Sequence, residues 1–263
     1  MGESALEKFV AEAQGLSGEF ESSTVFSIGG WHISQYTCYM FLALLVVFLI
    51  VLVGGRRLRL IPDSKFLNTL EYGYGFVRNS IAENVIGKGF ERHVPFLATL
   101  FFFILIANFI GLIPGAKAMA GTISVTWALS CISFVYFIYW GLRELKLWGY
   151  IKSLVPAGLP KPMIPIIWIL ELFSTVIRVL TLAVRLYGNM LAGHMVLAVF
   201  SIATSIFLTT AIAQMSLITG LPAIAWFALL LVMYALETLV AFLQAYVFTI
   251  LSASYVGMAI HPH

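Results

Sequence analysis

Four charged side chains, Glu171, Arg178, Arg185 and Glu237, interrupt the otherwise apolar chain that runs from Pro162 to the end. A charge at the centre of a bilayer costs about 2.5–3.5 kcal/mol on the most lenient scale, so such residues mark candidate functional positions. Glu171, Arg178 and Arg185 are spaced by seven, a separation that returns a helix to within about 20° of the same direction. His194 lies nine residues after Arg185, half a turn away, whereas Asn189, four after it, comes back to the arginine side. Glu237 and Gln244 are again seven apart and share a face.

Arginine keeps its proton under cellular conditions and acts as a fixed positive charge. Glutamate and histidine can exchange protons near neutrality once their surroundings tune them. A fixed cation on one face with a Glu/His pair on another fits a proton path that ends at a barrier. Completing transfer needs a mobile partner carboxylate, and this chain has no obvious second one at mid-membrane. Structural readings compete with this one. Glu171 and Arg178 would pair with one another or with lipid headgroups, Arg185 with Glu237, His194 would be a packing residue, and Asn189 and Gln244 would be hydrogen-bonding helix contacts. Gly188, Ala192 and Gly193 read as positions of close helix approach.

The elements that must hold these residues are membrane helices. Of 263 residues 61% are hydrophobic and 10% charged, with a mean hydropathy of +0.98; soluble domains carry about 25% charged residues. That balance excludes a secreted, disulfide-built or nucleic-acid-binding protein. Cys38 and Cys131 lie within apolar runs, far from any ligand-spaced partner, and suggest neither a disulfide nor a zinc site. Residues 1–35 are acidic, without the basic start and cleavage site of a signal peptide. The first span is read at Tyr36 to Val53, followed at once by Arg56, Arg57, Arg59 and Lys65, which places the N-terminus outside; the C-terminus is expected inside. Apolar positions at steps of three and four over residues 62–93 predict an amphipathic helix on the inner surface. A hairpin of spans follows at Val94 to Ile113 and Thr122 to Leu142. A basic Pro/Gly-rich loop leads on to Ile164.

Residues 164–216 and 222–260 are too long for upright spans. The first would measure roughly 80 Å as one helix, against a hydrocarbon core of roughly 30 Å. It must cross twice, begin as an interfacial stretch, or be tilted or bent. A break is expected at Thr219-Gly220-Leu221-Pro222. The fold class is therefore an all-α integral membrane protein: one N-terminal transmembrane helix, an amphipathic surface helix, a transmembrane hairpin and two long tilted helices.

The stretch from Leu170-Glu171-Leu172 through Arg185-Leu186-Tyr187-Gly188-Asn189-Met190-Leu191-Ala192-Gly193-His194 strongly resembles the signature of subunit a of F-type ATP synthases. Leu236-Glu237 with Leu243-Gln244-Ala245-Tyr246-Val247-Phe248 resembles that family's second signature, and Asn108-Phe109-Ile110-Gly111-Leu112-Ile113-Pro114 the end of its second span. The likeness covers the chain from about residue 36; the acidic segment before it matches no motif.

The resemblance implies a non-catalytic subunit without cofactor or metal, packed against a ring of c subunits and joined by peripheral-stalk b subunits and lipid. It implies that Arg185 is the stator arginine that attracts each arriving carboxylate and blocks leakage between two aqueous half-channels. His194, Asn189, Glu237 and Gln244 match residues of the outer half-channel, Glu171 an acidic position of the inner one, and Arg178 a second arginine that some members carry. In some bacterial members Glu stands at the position of His194 and His at that of Glu237; here the pair is exchanged. A bacterial plasma membrane is the expected location, with a mitochondrial inner membrane as the alternative. A self-contained proton- or cation-coupled transporter would instead show repeated halves with interrupted helices, and none is visible. A purely structural membrane subunit would leave Arg185 without a purpose.

Overall fold

The computed structural model describes residues 24–28, 31–56, 65–153, 163–214 and 217–260. The chain is an all-α membrane protein in which five helices are long and apolar enough to cross a bilayer. A short antiparallel hairpin precedes them, β1 (Thr24–Ile28) and β2 (Trp31–Ser34), with Ile28 opposite Trp31 and Thr24 opposite Ser34. It lies in the segment for which the sequence suggested no structure.

The first helix, α1 (Gln35–Arg56), is apolar on most sides; Phe41, Leu45, Phe48 and Val51 are exposed while Ala43 and Val47 are buried. The amphipathic stretch begins as α2 (Lys65–Gly75), widens into a π-helix over Phe76–Glu83, and closes as α3 (Asn84–Ile86). Widening aligns its buried residues. Val77 and Ile86 are nine apart, two and a half turns of an α-helix, but about 2.2 turns when the steps up to Glu83 take the roughly 4.4 residues per turn of an i→i+5 helix. Both reach the core with Ile81, and the Phe76 ring lies 6.0 Å from Phe101 and 5.8 Å from Tyr246. Gly87 and Gly89, with φ of 74° and 85°, then turn the chain into the next helix.

The hairpin is formed by α4 (Val94–Gly111) and α5 (Ile123–Ser153). Pro95, in the first turn of α4, needs no amide partner there. Beside it, His93 is held by the Tyr136 hydroxyl at 3.0 Å. Burial first, and then the Arg92 charge, keep the His93 pKa below its ordinary value. The stretch after Leu142, read from sequence as loop, is helical to Ser153 because Arg143 to Trp148 contain good helix formers and no proline. Lys146, with φ 58° and ψ 165°, divides it. A straight helix would separate residues 141 and 150 by about 14 Å. Instead the Tyr150 ring lies where a side chain on Gly141 would be, only 2.6 Å from the position of a Cβ there, so the chain folds back after Lys146.

The long elements are α6 (Ile164–Gln214) and α7 (Leu217–Ile260), which pack along one another and against α4 and α5. Since α6 is continuous over 51 residues, two separate crossings fall away. The expected break at residues 219–222 falls within α7. Pro222 lies in its second turn, and a membrane helix tolerates the single lost backbone bond. Hydroxyls along these helices satisfy themselves locally, buried Thr175 on the Glu171 carbonyl at 2.8 Å and buried Thr204 on the Phe200 carbonyl at 2.7 Å, the back-bonding open to a hydroxyl within a helix. Others join the layers: Ser130 donates to the Val179 carbonyl at 2.6 Å, and Ser133 and Ser252 are 2.9 Å apart.

Candidate functional site

The polar residues of α6 and α7 separate into three places. Glu171 and Arg178, seven apart on α6, form an ion pair of 2.7 Å, and the Arg178 guanidinium lies 5.8 Å from the centre of the Tyr255 ring on α7. Of the two structural alternatives weighed for them, pairing with each other is the one present. One helical repeat further on, Arg185 is exposed, beside Val184 and Thr181. Among the described residues it has no hydrogen bond or ion pair, and the pairing with Glu237 weighed above is absent.

The third place begins half a turn away on α6. His194 points toward α4, where its Nε2 lies 3.3 Å from the position a Cβ on Gly111 would take. It lines a cavity of about 510 Å³ together with Tyr36, Lys117, Ser201 and Tyr234. Glu237, one turn beyond Tyr234 on α7, is 6% exposed, and its carboxylate packs directly on Gly193, filling the volume of a side chain there. His194 Nε2 and Glu237 Oε1 are both buried without a hydrogen-bond partner among the described residues. Nearby, Asn189 donates to Gln244 Oε1 at 3.3 Å, tying α6 to α7.

This packing also refines the small residues. Gly193 leaves the space that the Glu237 carboxylate occupies, and does not serve helix approach alone. Gly188 faces open space, so it is no point of close approach among the described residues. Asn108, fully buried on α4, donates to the Ala241 carbonyl at 3.4 Å, one turn from Glu237. Its place in an apolar span was the sequence signal of this role. Nothing comparable pointed to Tyr36, Lys117 or Tyr234, which come from three separate elements and meet only in the fold.

A carboxylate and an imidazole without partners, next to a cavity, can each take up or release a proton. An unpaired, exposed arginine can attract an anion but cannot carry a proton. Fold and site together define a multi-pass helical membrane protein with acid–base groups held inside its span. A profile of the ATP synthase A chain family matches residues 37–257, and the chain belongs to that family. Its relatives include proteins named ATP synthase subunit a from Nitrobacter winogradskyi, 36% identical over 91% of this chain and 94% of the relative, and from Rhodopseudomonas palustris, 34% identical over 93% and 96%. The protein of the same name from Brucella canis is 35% identical over 89% and 92%.

Proposed function

We propose that this chain is the stator subunit of the membrane sector of an F-type ATP synthase, carrying protons to and from a ring of c subunits through two half-channels. The observation that carries the reading is the division of α6: Arg185 unpaired and exposed on one face, His194 on another beside a cavity, with Glu237 packed one residue away. The cavity around His194, closed by Lys117 and the turn between α4 and α5, corresponds to the outer half-channel. The Glu171–Arg178–Tyr255 cluster lies by the inner one.

A proton enters from the outside, passes along Glu237 and His194, and neutralises a c-subunit carboxylate. Once neutral, that carboxylate leaves Arg185 and turns into lipid. Rotation carries a protonated carboxylate to the inner side, where it deprotonates and is drawn back to Arg185. Asn189 and Gln244 hold α6 and α7 together at the approach to the ring. Moving one charge across 100 mV supplies about 2.3 kcal/mol, so several protons act for each ATP formed. The chain itself is non-catalytic. It lies in a bacterial plasma membrane with its N-terminus outside and its C-terminus inside, and contacts c subunits, the b subunits of the peripheral stalk and lipid.

Mild solubilisation should recover the protein with a ring of small subunits, each bearing a membrane carboxylate, and membrane vesicles should couple ATP hydrolysis to proton uptake. Recovery of the chain alone, with proton transport intact after reconstitution by itself, would overturn the proposal.

A further inference from the structure

A groove of about 470 Å³ lies on the outward face of the α4–α5 hairpin, lined by Phe96, Cys131, Ile132, Val135, Tyr136 and Tyr139. Ile132, Val135 and Tyr139 are each more than half exposed. Phe96 and Tyr136 stack at 3.6 Å as a flat wall, and the Tyr136 hydroxyl is engaged with His93. The groove is apolar and has a definite length. Cys131 to Tyr139 covers about 12 Å of helix, close to the roughly 15 Å of one leaflet's hydrocarbon, half of the core thickness.

At one end the groove meets positive charge. Tyr139 and Tyr136 touch Trp140 at ring separations of 5.7 and 6.3 Å. The Arg143 guanidinium lies 5.0 Å from the Trp140 ring centre and the Arg92 guanidinium 5.3 Å. Arg92 shares its charge with Glu144 at 3.3 Å, whereas Arg143, exposed and one turn past Tyr139, has no ion pair among the described residues. Tryptophan beside arginine is the composition of a membrane–water interface. A transmembrane helix of another chain would seek a seam through both leaflets; this groove serves one leaflet and ends at cations.

We propose that the groove binds an anionic phospholipid, one acyl chain lying between Phe96 and Val135 and its phosphate accepting hydrogen bonds from Arg143 and Arg92. The site is separate from the proton-carrying residues of α6 and α7. It fixes a lipid to the hairpin where Arg92 and Glu144 join α4 and α5.

The test is native mass spectrometry of the intact complex, stripped of lipid in detergent and titrated with phosphatidylglycerol or phosphatidylcholine. Phosphatidylglycerol should add at one more site per chain than phosphatidylcholine. The double variant Arg92→Gln/Arg143→Gln should weaken that site about thirtyfold, from about fivefold for each basic residue at a membrane surface. Val135→Trp fills the groove while leaving both arginines in place and should remove the site outright, so it decides the matter if the double variant fails to assemble. Equal uptake of the two lipids, or full phosphatidylglycerol uptake by the Val135 variant, would overturn the proposal. So would crosslinking in native membranes from Cys131 to a helix of another subunit, because a protein would then fill the groove.

Discussion

The two ionisable clusters of α6 are built on opposite terms. Glu171 and Arg178 lie on one helix, meet at 2.7 Å, and keep side-chain exposures of 35% and 25%. Histidine 194 (His194) and Glu237 come from different helices, and each has a buried atom without a partner. A bonded pair of opposite charges stabilises both charged forms and resists changing them. An acid and a base without partners keep those proton-binding atoms free. Between the clusters stands Arg185, which has the charge of the first and the missing partner of the second. Pairing and its absence thus separate the two clusters, and the proposed proton path runs through the unpaired one.

Removing the unpaired cation tests this contrast most severely. Arg185→Ala should lower proton-driven ATP synthesis at least about a thousandfold, at the upper end for loss of a preorganised charge, and let protons leak through vesicles. Wild-type synthesis in an assembled complex with that change would sink the assignment. Next comes Glu237→Gln, expected to slow proton uptake about a hundredfold as for loss of an acid–base group, with assembly unchanged. Equal pumping before and after would make Glu237 structural, like Glu171. Gly193→Ala should reduce pumping roughly tenfold, because a misplacement of about 1 Å is costly in proton transfer. Glu237→Asp, shorter by one methylene, should recover part of the loss in the double variant; no recovery would mean that the glycine acts through the backbone.

The bonded side of the comparison predicts smaller effects. Glu171→Gln and Arg178→Gln, measured singly and together by thermal stability of the complex, should show a coupling of about 1 kcal/mol. A zero coupling would remove the distinction between the clusters. Asn189→Ala and Gln244→Ala should couple by about 0.6 kcal/mol, the usual scale for polar contacts between membrane helices, and change pumping least.

Helical periodicity made much of this legible. Spacings of seven correctly put Glu171 and Arg178 within reach of one another, and the half turn from Arg185 to His194 is the separation observed between the exposed arginine and the cavity-lining imidazole. Periodicity failed where the helix changed its pitch. The steps of three and four over residues 62–93 hold for Val77 and Ile81, both buried, but an α-helical count does not bring Ile86 to their face, and the π-helical turns do. It also failed at Pro222, because a proline lowers helix propensity without saying where neighbouring helices make good the lost bond.

Membrane residence and the scarcity of charge after Pro162 were determined by composition and local pattern, since they depend on transfer free energy. The tertiary structure alone decided which polar atoms are paired between helices. Gly193 receives Glu237, Asn108 binds the Ala241 carbonyl, and Tyr36, Lys117 and Tyr234 gather around His194 only because α1, α4, α6 and α7 come together. A hydrogen bond reaches about 3 Å, so whether residues distant in the sequence form one is a property of packing.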